Sequence, residues 1–86
     1  MVGVVVDGHD IALYRVGGQV YATSNVCTHQ HALLTDGYLD GDCVECPLHQ
    51  GRFSIVTGEA RDGPVNEDLR TYAVAEADGF ISVVLD

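Results

Sequence analysis

Two short loops, each with one cysteine and one histidine, constrain this chain more than any other feature. The first reads Cys-Thr-His from Cys27 to His29, the second reads Cys-Pro-Leu-His from Cys46 to His49, and residues 30–45 separate them. Two thiolates and two imidazoles in this order could hold a zinc ion. They could also hold a [2Fe–2S] cluster in which two cysteines bind one iron and two histidines bind the other. The spacing therefore predicts a metal site built from these four side chains.

The residues around the loops favour the cluster over zinc. After His49 the sequence continues Gln-Gly-Arg-Phe, and with the Cys-Thr-His loop this resembles the Rieske family, in particular the small Rieske ferredoxins of bacterial aromatic-ring oxygenase systems. A zinc ribbon usually pairs two Cys-x2-Cys knuckles, whereas the first loop here has one residue between its ligands. The resemblance covers almost the whole chain. It implies one [2Fe–2S] cluster per chain, with Cys27, His29, Cys46 and His49 as ligands.

The same resemblance implies different roles for the two ligand types. Cys27 and Cys46 are expected to hold the buried iron, and His29 and His49 the outer iron, where a partner can receive the electron. Because imidazole is neutral, two ferric ions, two sulfides and two thiolates sum to zero, whereas an all-cysteine cluster is doubly negative. A neutral centre is easier to reduce, and Rieske centres accordingly lie at about −150 to +300 mV, against about −400 mV for plant-type ferredoxins.

Four positions near the ligands bear on the reduction potential. High-potential respiratory relatives carry an extra cysteine in each loop, and these two cysteines form a disulfide. They also place a serine hydroxyl and a tyrosine hydroxyl near the sulfur atoms. The corresponding residues here are Ala32 and Leu48 for the disulfide and Gly51 and Phe53 for the hydroxyls. Neither feature can form, so the resemblance predicts a low-potential Rieske centre.

Short β-branched and apolar runs separated by glycine turns predict an all-β chain without a sustained helical period. The first three runs, at 2–6, 11–16 and 19–22, predict a meander in which Gly17-Gly18 forms a hairpin turn. The polar stretch 59–68 is predicted to be a loop. Further short strands are predicted at 38–39, 43–45, 53–56, 69–75 and 80–85.

The resemblance implies a single Rieske domain over residues 1–86, with a β-sandwich base and a small inserted cluster-binding subdomain. The cluster-binding loops are expected to lie within about 24–60. Family members usually have one more strand ahead of the point where this sequence starts. The resemblance therefore leaves open whether further chain or a partner strand covers the edge formed by residues 2–6.

Composition excludes several classes of partner and location. The net charge is −9, from 13 acidic and four basic residues, which repels nucleic acid. Such a surface suits docking against basic patches on proteins, or simply maintains solubility, and both interpretations stay open. No apolar run approaches membrane-spanning length, and the N-terminus has no basic segment typical of a signal peptide. We therefore expect no membrane association and a cytoplasmic location, where thiols stay reduced.

The function implied by the resemblance is electron transfer rather than catalysis. We expect a soluble one-electron carrier that takes electrons from an NAD(P)H-dependent flavin reductase and passes them to a terminal aromatic-ring oxygenase. Alternatives are a small Rieske subunit of a larger reductase such as nitrite reductase, an excised oxygenase domain, or a zinc-binding interaction module. Oxygenase Rieske domains commonly have Arg and Trp in the loops, whereas this chain has Thr28 in place of that Arg and no Trp.

Five further residues have ambiguous roles. Cys43 lies three residues before the second-loop cysteine, but we expect a part-buried strand cysteine rather than a ligand. His31 is predicted to be a loop histidine and His9 a solvated turn histidine. Arg52 is either an ion-pair donor or a docking contact. Pro64 is either a turn proline or part of the proline loop that shields the cluster in the family.

Overall fold

The structure, a computed structural model, describes residues 1–28, 32–48, 51–62 and 67–85. These residues form antiparallel strands and one short 3-10 helix, Leu34–Asp36. The strands are β1 Val2–Val6, β2 His9–Val16, β3 Gln19–Ser24, β4 Tyr38–Asp40, β5 Cys43–Glu45, β6 Arg52–Ser54, β7 Ala60–Asp62, β8 Thr71–Ala77 and β9 Phe80–Val84.

The larger sheet has the order β1-β2-β3-β8-β9, and its first three strands are the predicted meander. The β2–β3 hairpin turns at Gly17 and Gly18, with φ of 58° and 85°. Positive φ at both central residues defines a turn whose twist matches that of the flanking strands, and glycine adopts it without steric cost. The turn fixes the register at Val16 opposite Gln19.

The larger sheet curls, so that its last strand approaches its first two strands. Strands β3 and β8 are paired at Ala22 and Thr23 of β3. Beyond this junction, Ile81 of β9 lines a groove of about 250 Å³ together with Val2 and Leu13 of the meander. Strand β9 therefore lies across the face of the first strands, and the two halves of the sheet form the predicted sandwich base.

The smaller sheet, in the order β4-β5-β6-β7, is inserted in the chain between β3 and β8, which confirms the expected subdomain. Strand β7 corrects the prediction that all of 59–68 is a loop. It forms because Phe53 pairs with Ala60 and Arg52 with Asp62, with an irregularity between the two pairs. Backbone pairing with β6 thus outweighs a polar sequence that has no strand pattern of its own.

Strands β1 and β5 have the predicted boundaries, and the ends of the other predicted strands differ by at most two residues. Strand β2 begins at His9, so this residue lies in a strand rather than a turn, although it is exposed as expected. Its ring stands edge-on to Tyr72, with ring centroids 6.4 Å apart. Among the described residues, no helix is long and apolar enough to cross a membrane.

Both sheets contribute to one hydrophobic core. Tyr14 of β2 is 2% exposed, and its hydroxyl donates to Thr23 Oγ1 at 2.8 Å, because the Thr23 hydroxyl itself donates to the carbonyl of Ser24. Burial raises the pKa of Tyr14 to about 12, partly opposed by the Thr23 hydrogen bond. Tyr14 therefore stays neutral. The other core members are Ala12, Cys27, Leu34, Val44, Cys46, Phe53, Ile55 and Leu69.

Candidate metal centre

The two predicted cysteine ligands lie in this shared core. Cys27 is 4% exposed and Cys46 is 1% exposed, and both belong to one cluster of buried side chains. The loops that carry them are distant in sequence but converge where the two sheets meet. The predicted ligands His29 and His49, together with His31, lie outside the described residues.

The first ligand loop connects β3 to the 3-10 helix and is closed by a short antiparallel ladder. Leu34 N–H donates to the carbonyl of Asn25 at 2.8 Å, and Cys27 N–H donates to the carbonyl of Ala32 at 2.9 Å. Between them, Val26 pairs with Leu33. Cys27 is thus the last paired residue on its side of the ladder, which fixes its backbone at the loop neck.

The second ligand loop repeats this arrangement between β5 and β6. Glu45 pairs with Arg52, and Cys46 N–H donates to the carbonyl of Gly51 at 2.8 Å. In both loops the cysteine bonds to the carbonyl of the fifth residue after it, 27 to 32 and 46 to 51. The two predicted sulfur ligands therefore lie on backbone segments with the same hydrogen-bond closure.

Asn25 is a buried polar residue that the sequence analysis did not single out. It is 4% exposed, and its side-chain carbonyl accepts from Thr35 N–H at 2.9 Å while its amide donates to Thr35 Oγ1 at 3.0 Å. Its own N–H donates to the carbonyl of Asp10 at 2.9 Å. Asn25 therefore clamps both sides of the first loop to strand β2. The sequence signal for this role was an Asn between a strand and a ligand loop, because asparagine side chains often hydrogen-bond to nearby backbone groups.

Cys43 is placed apart from the second ligand. Strand alternation directs Val44 and Cys46 to the core face, and Cys43 and Glu45, which are only half-buried, to the other face. Burial raises the pKa of the Cys43 thiol, and the neighbouring Asp42 carboxylate raises it further. Cys43 is thus a half-buried strand cysteine, as expected, and its thiol resists ionisation.

Most of the other positions named from the sequence lie among the described residues. Arg52 forms an ion pair with Asp40, which is one of the two roles expected for it from the sequence. Ala32 is half-buried and Leu48 is 60% exposed. Phe53 is fully buried in the core. Pro64 lies outside the described residues.

The donor chemistry fits a soft metal centre. All three cysteines are described, and none is in a disulfide. Two buried thiols at matched loop necks suit metal ligation, because cysteine thiolates are the soft ligands that iron–sulfur clusters use. The described residues include no group of three or more His, Cys, Asp and Glu side chains that could hold a metal ion. All four ligands, the two thiols as well as the two imidazoles, therefore remain a prediction.

Comparison with known proteins identifies the family. The model of the Rieske [2Fe–2S] domain matches residues 1–73 of the chain. The chain belongs to the Rieske [2Fe–2S] domain family. A Rieske domain implies an iron–sulfur cluster, which agrees with the cluster predicted from the loops and argues against the zinc module.

Individual relatives of this Rieske chain are ferredoxins. The chain is 53% identical over 74 residues to the ferredoxin component of the naphthalene 1,2-dioxygenase system of Pseudomonas putida. The matched residues make up 86% of this chain and 71% of the relative. The solved structure of the Sphingomonas yanoikuyae B1 ferredoxin superposes with a TM-score of 0.90 at 41% identity, covering 98% of this chain and 85% of that one.

A further solved structure contains a partner protein. A chain from the complex of reduced oxygenase and oxidized ferredoxin in carbazole 1,9a-dioxygenase matches with a TM-score of 0.87 at 42% identity. The match covers 92% of this chain and 81% of that chain. These relatives are electron-transfer components rather than catalytic enzymes, as predicted for this Rieske chain from its sequence.

Proposed function

We propose that this chain carries single electrons from an NAD(P)H-dependent flavin reductase to a terminal aromatic-ring oxygenase. The observation that carries the proposal is the 53% identity over 74 residues to a naphthalene dioxygenase ferredoxin component. The whole chain 1–86 would act as one Rieske domain, and its radius of gyration of 12.1 Å equals the value of about 12 Å for a compact domain of this length. A cytoplasmic location would keep its thiols reduced.

The proposed ligands are Cys27 and Cys46 for one iron and His29 and His49 for the other, with one cluster per chain. When bound, such a cluster takes up and releases one electron. The burial of both thiols supports this assignment, because it excludes water from the cysteine side. The neutral Tyr14 in the same core adds no further negative charge beside the thiolates.

The test of this proposal is the metal content of the purified protein. We expect two iron and two acid-labile sulfide per chain, and an electron paramagnetic resonance spectrum of the mixed cysteine–histidine type after reduction. Stoichiometric zinc in a colourless protein would support the interaction module instead. A reduced spectrum of the all-cysteine type would reject the histidine ligands.

We expect a reduction potential near the lower end of the Rieske range, about −150 mV. The positions that carry hydroxyl donors in high-potential relatives are here the buried Gly51 and Phe53, which leave charge on the sulfur atoms less stabilised. Leu48 and Ala32 likewise cannot form the additional disulfide. Redox titration gives the midpoint directly, and a value above zero would contradict the low-potential carrier.

The acidic surface should accelerate docking with basic partner surfaces. Exposed Asp36 follows the first ligand loop, and half-buried Glu45 directly precedes Cys46, so negative charge lies beside both loops within a net charge of −9. We expect the second-order rate of reduction by the reductase to fall with salt, as the Debye length shortens from about 30 Å at about 0.01 M to about 10 Å at about 0.1 M. Stopped-flow kinetics across this range measures the effect, and a salt-independent rate would remove electrostatic steering while leaving the carrier role.

A further inference from the structure

A side-chain hydrogen bond ties the first ligand loop to a distant part of the chain. Thr28, between Cys27 and His29, donates its hydroxyl to the backbone carbonyl of Glu67 at 2.7 Å, across 39 positions in sequence. This length is typical of a well-formed O–H···O hydrogen bond. The bond is exposed, so its net effect on overall stability is modest. Its position between two proposed ligands is what gives it significance.

The acceptor segment 67–69 is firmly held by other contacts. Leu69 is 4% exposed and packs in the same core as Cys27. Its N–H donates to the carbonyl of Gly58 at 2.8 Å, and the Asp68 carboxylate accepts from Ala60 N–H at 2.9 Å. The Glu67 carbonyl is therefore a fixed anchor rather than an acceptor that follows the loop.

The loop is thus held from two directions. On the strand side, Cys27 N–H bonds to the carbonyl of Ala32 at 2.9 Å and fixes the neck. Thr28 directly follows Cys27, and its hydroxyl hydrogen-bonds the loop to the backbone of segment 67–69. The chain is therefore restrained at Cys27 and Thr28, immediately before the proposed histidine ligand.

We infer that Thr28 is a positioning residue for the outer iron. Its hydrogen bond to Glu67 restrains the residue immediately before His29, and would so narrow the range of orientations that the imidazole can take toward the iron. This inference rests on the proposed function, because it requires His29 to be a ligand. Residues that orient metal ligands typically change metal retention by about 10- to 100-fold when replaced.

The experiment compares three variants of the cluster-loaded protein with the unmodified chain. Thr28→Val keeps the β-branched shape and removes the donor, and Thr28→Ser keeps the donor. Thr71→Val makes the same chemical change at an exposed position of β8, outside both ligand loops in the sequence. The measurements are the rate of cluster loss to an iron chelator, the linewidths of the reduced-state electron paramagnetic resonance spectrum, and thermal unfolding.

For Thr28→Val we expect cluster loss about tenfold faster and broadened resonance lines, because the imidazole orientation is less uniform. Thr28→Ser and Thr71→Val should match the unmodified protein. If Thr28→Val fails to retain any cluster while Thr28→Ser retains it normally, the hydroxyl is equally shown to be required. Unchanged linewidths and release rate in Thr28→Val, even with lower thermal stability, would overturn the inference. Absence of a [2Fe–2S] cluster from the unmodified protein would instead refute the proposed function.

Discussion

Replacing Cys46 by serine should abolish stable cluster binding. Cys46 is 1% exposed at the neck of the second ligand loop, where Cys46 N–H bonds to the Gly51 carbonyl. Serine would keep this backbone bond but replace a soft thiolate by a hydroxyl, a poorer ligand for the iron of an iron–sulfur cluster. Since changes to residues that merely support a ligand cost about 10- to 100-fold in metal affinity, loss of a direct ligand should cost more. Iron analysis and visible absorbance after desalting measure the effect.

Cys43→Ser is the matched control for this substitution. Cys43 is the same residue type three positions earlier, on the opposite face of β5, and its raised pKa keeps the thiol protonated. We expect unchanged iron content and an unchanged reduced spectrum. Loss of the cluster in Cys43→Ser, or its retention in Cys46→Ser, would mean that the ligand assignment is wrong. Circular dichroism of both proteins distinguishes loss of the ligand from loss of the fold.

Gly37→Ala should strongly destabilise the protein. Gly37 ends the 3-10 helix that follows the first ligand loop, and a methyl group there would collide with the backbone carbonyl of Glu45 and approach Pro47 Cδ to 3.1 Å. A backbone carbonyl cannot move aside like a flexible side chain, so β5 must shift. Such overpacking costs about 3 kcal/mol, which lowers Tm by about 15 °C in a domain of this size. The displaced Glu45 carbonyl directly precedes Cys46, so iron retention should fall as well.

Gly41→Ala provides the comparison in thermal and chemical unfolding. Gly41 has a φ of 60° and no atom within 4 Å of an added methyl, so alanine incurs only the backbone strain of about 1 kcal/mol. We expect Gly41→Ala to melt within a few degrees of the unmodified protein and to keep its iron. Equal effects of the two substitutions would show that close approach at Gly37 does not determine stability.

The strong local signals in the sequence predicted the fold class. Glycine turns at fixed positions and β-branched runs predicted the meander, because hairpin registers depend on neighbouring residues. The burial of Cys27 and Cys46 agrees with their predicted role on the inner side of a centre. The assignment of His29 and His49 as ligands remains a prediction that metal analysis and spectroscopy must test.

The features that the sequence did not reveal depend on contacts between distant segments. Strand β7 forms because β6 offers free backbone groups to Ala60 and Asp62, and its own polar residues carry no strand pattern. The Asn25 clamp and the Thr28–Glu67 bond each join segments whose proximity exists only after folding. Single polar residues of this kind look like ordinary loop residues in a sequence.

The matched closures of the two ligand loops have a consequence for the order of cluster assembly. Each cysteine is fixed by a backbone hydrogen bond that spans five residues. Contacts between residues so close in sequence form rapidly and at low entropic cost. The backbone closures at Cys27 and Cys46 can therefore form separately, before any metal binds. Iron and sulfide would then meet two cysteines whose backbone is already held in place. Cluster insertion should accordingly follow folding of the chain.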